Sequence, residues 1–234
     1  EQSKTHAIGF DIVFSDALES EMPSDQQFAL AVQKIGNVVL PVSSSLSGNG
    51  EGKELLPFVQ LATSANRLGH NDIEVDSDGI VRTNYLNAGW QKAKWPSFAL
   101  ALANLAFPDK VKMPKSELSG NYWTRANPSL IAYNHPNLST YSYKDVLNDR
   151  VDVSVFENKI VLIGVTANGI GEKFSIPGVL GHNRLSGVEL NAHIINTLVN
   201  DSGINEIDDQ TTLAMTMALL LIGLVFYFKL KAYR

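Results

Sequence analysis

Residues 7–14, "AIGFDIVF", alternate in a way that decides the fold. Ile8, Phe10, Ile12 and Phe14 fall on one side of an extended chain, and Gly9, Asp11 and Val13 on the other, the period of a β-strand. Downstream, "SDQQFALAVQKIG" (24–36) sets Ser24 and Gln27 at capping-box spacing and Phe28, Val32 and Ile35 on one helical face, with Gly36 at the stop. "NVVLPV" (37–42) is a short apolar run, a second buried strand. Strand, helix and strand at this spacing make a βαβ unit, a parallel pair packed on its crossover helix.

Working outward, "SSSLSGNGEGKE" (43–54) has the composition of a loop, and "LPFVQLATSANRLG" (56–69) reads as a helix with Pro57 near its start and Gly69 at its end. "NDIEVDSDGIVRTNYL" (71–86) predicts a hairpin, and "WPSFALALANLAF" (95–107) a helix begun at Pro96 with Phe98, Leu102 and Leu105 on one stripe. Residues 107–128 look irregular. "SLIAYN" (129–134) reads as a strand, "SYKDVLND" (142–149) as a short helix, "KIVLIGV" (159–165) as a fully buried strand, and "GVELNAHIINTLVN" (187–200) as the last helix of the body. The expected fold is α/β: a mixed, largely parallel sheet covered by helices on both faces, plus a C-terminal transmembrane helix.

That last element rests on charge. From Gln210 to Phe228 no residue is charged, and a helix of that length spans about 28 Å, close to a bilayer's hydrocarbon core. Asp201, Glu206, Asp208 and Asp209 precede it; Lys229, Lys231 and Arg234 follow. Basic residues collect on the cytoplasmic side, so residues 1–205 are expected outside as an extracytoplasmic domain, 210–228 in the membrane, and 229–234 inside as a stub. The formal net charge is −5, and the three trailing bases carry +3, so the part before them carries −8. An acidic body is ill suited to nucleic acid. With no cysteine, disulfides and thiolate sites are excluded. The chain opens almost directly on a strand, as a piece cut from a longer protein with an upstream span would.

Several constellations carry candidate chemistry. "EVDSDGIVR" resembles the middle of a calcium loop, but counting from Glu74 the twelfth position is Tyr85, where a bidentate Glu is needed. "DSDG" therefore reads as a tight turn, with Arg82 in reach of its carboxylates. "IGVTANGIGEKF" (163–174) lacks the ending of a phosphate loop, yet it leaves a strand at the edge where open α/β sheets hold ligands. Thr166, Asn168 and Glu172 are its pocket-rim candidates. Glu189 and His193, four apart on one helix, can bind a metal, act as acid and base, or simply pack; no metal-site spacing accompanies them, and no metal or cofactor is expected. Asp11, an acid within an apolar strand, either has a structural partner or lines a pocket.

"AIGFDIVFSD", "ALAVQKIGNVVLPV", "GHNDIEVDSDGIVR", "PSFALALANL" and the run "FENKIVLIGVTANGIGEKFSIPG…SGVELNAHIINTLV" together resemble the second type of CHASE domain, the cyclase/histidine-kinase-associated sensory extracellular module. The blocks keep the family's order and cover residues 7–200. The resemblance implies a non-catalytic periplasmic or extracellular input domain in the bacterial cell membrane. Its cytoplasmic output would be an adenylate or guanylate cyclase, a diguanylate cyclase, or a histidine or Ser/Thr kinase. Two positions depart from the pattern: Glu172 stands where the family usually has Asp, and "ELNAH" where it often has "E-x-H-A-N". An unknown small-molecule or ionic stimulus is expected, as is a homodimer, for which Ala214 and Ala218 offer small-xxx-small spacing. The rival readings are a structural or partner-binding ectodomain and a membrane-anchored hydrolase using Asp11, Glu172 or His193.

Overall fold

The structure, a computed structural model, describes residues 4–15, 22–46, 52–133, 138–167, 170–178, 184–204 and 209–232. The chain divides into two compact units, Glu1–Gly203 and Ile204–Arg234.

The first unit opens with the expected βαβ: strand β1 (Ala7–Phe10), helix α1 (Met22–Ile35) and strand β2 (Val38–Leu46), with Ile8 opposite Val38 and Gly9 opposite Val39 in a parallel pair. β1 is shorter than its alternation suggests. Asp11 N–H makes the last rung, to the Ile163 carbonyl, and the chain then leaves the sheet. Phe14 still points inward, its ring in edge and tilted contact with those of Phe10 and Phe28. The Ser/Gly stretch is partly strand: Ser43–Leu46 runs antiparallel to β3 (Gly52–Leu55). The helix expected over 56–69 is only α2 (Val59–Ser64); Ala65 turns extended, and Arg67–His70 forms β4, parallel to the near half of β2.

β5 (Thr83–Lys92), β6 (Trp95–Pro96) and β7 (Ser119–Leu130) build a separate antiparallel sheet in the order β6-β5-β7. This corrects two expectations. Within 71–86 a tight turn closes between Asp76 and Ile80 before Thr83 enters β5, in place of a hairpin, and of the stretch expected to be irregular 107–118 is so while 119–128 is strand. Between β6 and β7 lies α3 (Phe98–Ala106), capped by the Ser97 hydroxyl, which accepts from Leu100 N–H at 3.2 Å. After β7 come α4 (Tyr143–Leu147), a 3-10 turn at Val153–Phe156, and β8 (Ile160–Ile163) parallel to β1. β8 is only half-buried, because it borders the described sheet rather than filling its middle. The short antiparallel pair β9 (Lys173–Phe174) and β10 (Leu185–Ser186) leads into α5 (Gly187–Val199).

Helices cover both faces of the parallel sheet. Ile8, Phe10, Val38 and Leu40 pack with α1 and α2, while Ala7, Val39, Ile160 and Leu162 pack with α3 and α5. α3 is buried from Phe98 through Asn104, not on one stripe, as a helix apolar all round must be. It comes close enough only because two residues beneath it lack side chains. A Cβ on Gly9 would stand 2.6 Å from Leu102 Cδ1 and 2.7 Å from Phe98 Cζ; one on Gly69 would stand 2.7 Å from Phe98 Cα.

The second unit is α6 (Asp209–Ala232), of which Gln210–Lys229 has mean hydropathy 2.0 and is long and apolar enough to cross a membrane.

The contact between α3 and β1 is testable by calorimetry. Leu102→Ala should cost about 2–5 kcal/mol through its cavity. Gly9→Ala should cost about 1–3 kcal/mol through overpacking. The double variant should be less destabilised than the two costs added, because the new Cβ occupies space that Leu102 vacates.

Candidate functional site

From β1 the chain steps outward to β2 and β4, and only later adds β8 on the other flank, giving the parallel order β4-β2-β1-β8. The course reverses between β1 and β8, and the crevice outside the carboxyl ends at such a point is where open parallel sheets hold ligands.

Asp11 is the residue that leaves β1 at that point. Its side chain turns against the start of α5: Oδ2 lies 3.2 Å from where a Cβ on Gly187 would stand, and Asn191 Nδ2 donates to it at 3.5 Å. Gly164, just past β8, leaves room for this approach, since its Cβ would meet Val188 Cβ at 2.8 Å and Asp11 Cβ at 3.2 Å. β1, β8 and α5 thus converge on one carboxyl. Burial drives the Asp11 carboxyl above the usual carboxylate range, and the Asn191 hydrogen bond offsets this only in part. An acid held where its charge is disfavoured, at a switch point, is a functional-site candidate on physical grounds.

The other sequence candidates sit apart in role. Thr166 is exposed on the loop leaving β8, and its carbonyl accepts from Lys173 Nζ at 2.9 Å. Asn168 lies outside the described residues. Glu172 is exposed on an open groove of about 420 Å³, lined also by Val75, Lys173, Ser175 and Arg184. Glu189 is engaged in capping α5: its Oε2 accepts from Ser186 N–H at 2.8 Å and from Ser186 Oγ–H at 2.6 Å. Burial pushes the Glu189 carboxyl up, but the Ser186 hydrogen bonds, with Lys173 and His193, hold it below the usual range. His193 is buried in the core, its ring 5.4 Å from that of Tyr133. Asn191, not among the sequence candidates, is the residue that meets Asp11; its only signal was the departure of "ELNAH" from the familiar pattern. The Asp76–Gly79 turn is filled by protein. Arg82 donates to Asp76 Oδ2 at 2.5 Å and to both oxygens of Asp78, holding the Asp78 carboxyl down to about 2.

An α/β domain with a largely desolvated acid at its switch point thus lies on one chain with a helix of membrane-crossing length. The model of the CHASE2 domain matches residues 1–226, and the chain belongs to that family of extracellular, sensory, non-catalytic domains. Comparison with curated proteins and with solved structures finds no match.

Because burial raises the folded-state pKa of Asp11, the native protein holds that proton more tightly than the unfolded chain does. Stability on this account is greatest below the ordinary aspartate pKa and is lost as pH rises through the folded value. Asp11→Asn should therefore raise Tm at pH 7. The gain should shrink as pH is lowered towards 3.8, and a Tm difference that does not change with pH would contradict this environment for the carboxyl.

Proposed function

We propose that the chain is the input portion of a membrane-bound signal receptor, with residues 1–205 outside the bacterial cell membrane, 210–228 spanning it and 229–234 inside. The observation that carries this reading is Asp11, half-buried where β1, β8 and α5 meet and desolvated enough to disfavour its ionisation. A small polar molecule or an ion that partners this carboxyl binds one arrangement of α5 better than another. A differential of a few kcal/mol is enough to shift a two-state equilibrium. α5 ends at Val199 and α6 begins at Asp209, so a change at the first reaches the second through nine residues of chain. The output is a cyclase, a diguanylate cyclase or a protein kinase on the far side, worked by a homodimer.

A second reading, an ectodomain that binds a protein partner, is favoured by one observation: Leu138, Tyr141, Tyr143, Leu147 and Val153 are all exposed within a short stretch around α4.

Two measurements test the receptor reading. A reporter active only in the cytoplasm, fused after Arg234, should be active, and protease added outside should cleave the 1–205 body; the reverse pattern rejects the orientation. A thermal-shift screen of the chain against small solutes and ions should yield a ligand that stabilises by about 2.7 kcal/mol at a hundredfold excess over Kd. Asp11→Ala should abolish that shift, and an undiminished shift would remove Asp11 from the site.

A further inference from the structure

The open groove of about 420 Å³ runs between β9 and the turn at Asp76–Gly79, with Val75 and Phe174 among the residues that line it. Its volume falls within the ~300–1,000 Å³ typical of small-molecule sites. β9 and β10 are antiparallel, with Phe174 opposite Leu185 and Lys173 opposite Ser186. The same register carried back one residue sets Arg184, also on the groove, opposite Ser175. Ser175 is tied in turn to the far side, since its carbonyl accepts from Val81 N–H at 2.9 Å.

Most of the charges around this groove are already spent. On the segment that carries Val75 and Gly79, Asp72 accepts from Arg125 Nε at 2.5 Å and from Arg125 Nη2 at 2.9 Å. Asp72 follows β4 of the parallel sheet and Arg125 lies on β7 of the antiparallel one, so this pair joins the two sheets. Glu74 stands 3.6 Å from the same guanidinium, and Arg82 holds both Asp76 and Asp78. On the β9 side, Lys173 gives its ammonium to the Thr166 carbonyl. Among the described residues, two charged side chains on the groove have neither an ion pair nor a hydrogen bond: the Glu172 carboxylate and the Arg184 guanidinium. They are opposite in sign, they line one groove, and they do not pair with each other.

A molecule with a single charge gains one of these partners and is opposed by the other, whereas a zwitterion meets both. We propose that the groove is a binding site for a free α-amino acid. The carboxylate is taken by Arg184, whose fork suits it, beside the Ser175 hydroxyl; the ammonium is taken by Glu172, and the side chain lies along Val75 and Phe174. The site also adjoins α5. β10 runs straight into that helix, and Phe174 Cε2 is 3.9 Å from where a Cβ on Gly187 would stand, the point that Asp11 Oδ2 approaches to 3.2 Å. An occupant held by Arg184 therefore grips the strand from which α5 starts. As a stimulus the amino acid rests on the receptor reading above; as a ligand it does not.

The test is isothermal titration calorimetry of the full chain in lipid nanodiscs, with each of the twenty standard amino acids at millimolar concentration. At least one should bind. Its N-acetyl derivative lacks the ammonium and its methyl ester lacks the carboxylate, and each should bind at least about tenfold more weakly. Glu172→Gln should weaken the amino acid by a similar factor and leave the N-acetyl derivative unchanged. Arg184→Gln should weaken it likewise and leave the methyl ester unchanged. Both side chains are exposed, so both variants should fold. Failure of all twenty to bind, or a binder indifferent to both substitutions, overturns the inference. A binder lost on Asp11→Ala but kept by Glu172→Gln and Arg184→Gln sits in the crevice instead, which rejects the groove and upholds the receptor reading. A reporter fusion that places the body in the cytoplasm rejects that reading and leaves amino-acid binding in the groove standing.

Discussion

The structure depends on enclosing α3. Seven of its nine residues are buried, and burying a Phe or Leu side chain is worth about 1.5–3 kcal/mol, but only if every side of the helix is covered. The parallel sheet supplies one side and α5 another, with Val81, Ile131 and Phe174 closing the gaps. That enclosure requires bare backbone at Gly9 and Gly69, so two strands of the sheet are shaped by the helix above them. The position of Asp11 follows from the same packing, because it stands two residues past Gly9, where the chain leaves β1 for the far face.

What was legible in the sequence follows from how locally each element is determined. β1–α1–β2 could be read because the period changes from 2 to 3.6 and back within thirty-six residues. β4 could not, because four residues are too few to show a period, and Leu61 and Leu68 continue a helical spacing across Ala65, where the chain in fact turns extended. β7 was hidden by Gly120, by Pro128 and by Asn127 at φ 56°; its stability comes from β5, to which it is paired almost throughout. "KIVLIGV" showed its apolar character but not its place at the border of the sheet, which is a matter of topology.

The site divided along the same line. Asp11 announced itself as a charge in an apolar strand, and the structure gives it a partner in Asn191. Glu189 carried a readable signature as well: Ser186 stands three residues before it, the spacing of a capping box, and that box engages its carboxylate. The pairing of Asp72 with Arg125 spans 53 residues and joins two sheets, so no local pattern signals it.

β8 has consequences beyond its own four residues. Among the described strands it is paired only with β1, so no described strand covers its other flank, beside Ile160, Val161, Leu162 and Ile163. Such a flank is a template for another strand. Its brevity limits the template to a few rungs, which restrains fibril-like stacking without any charged guard in the strand itself. When the body is overproduced without α6, that flank is the seam along which copies would first adhere.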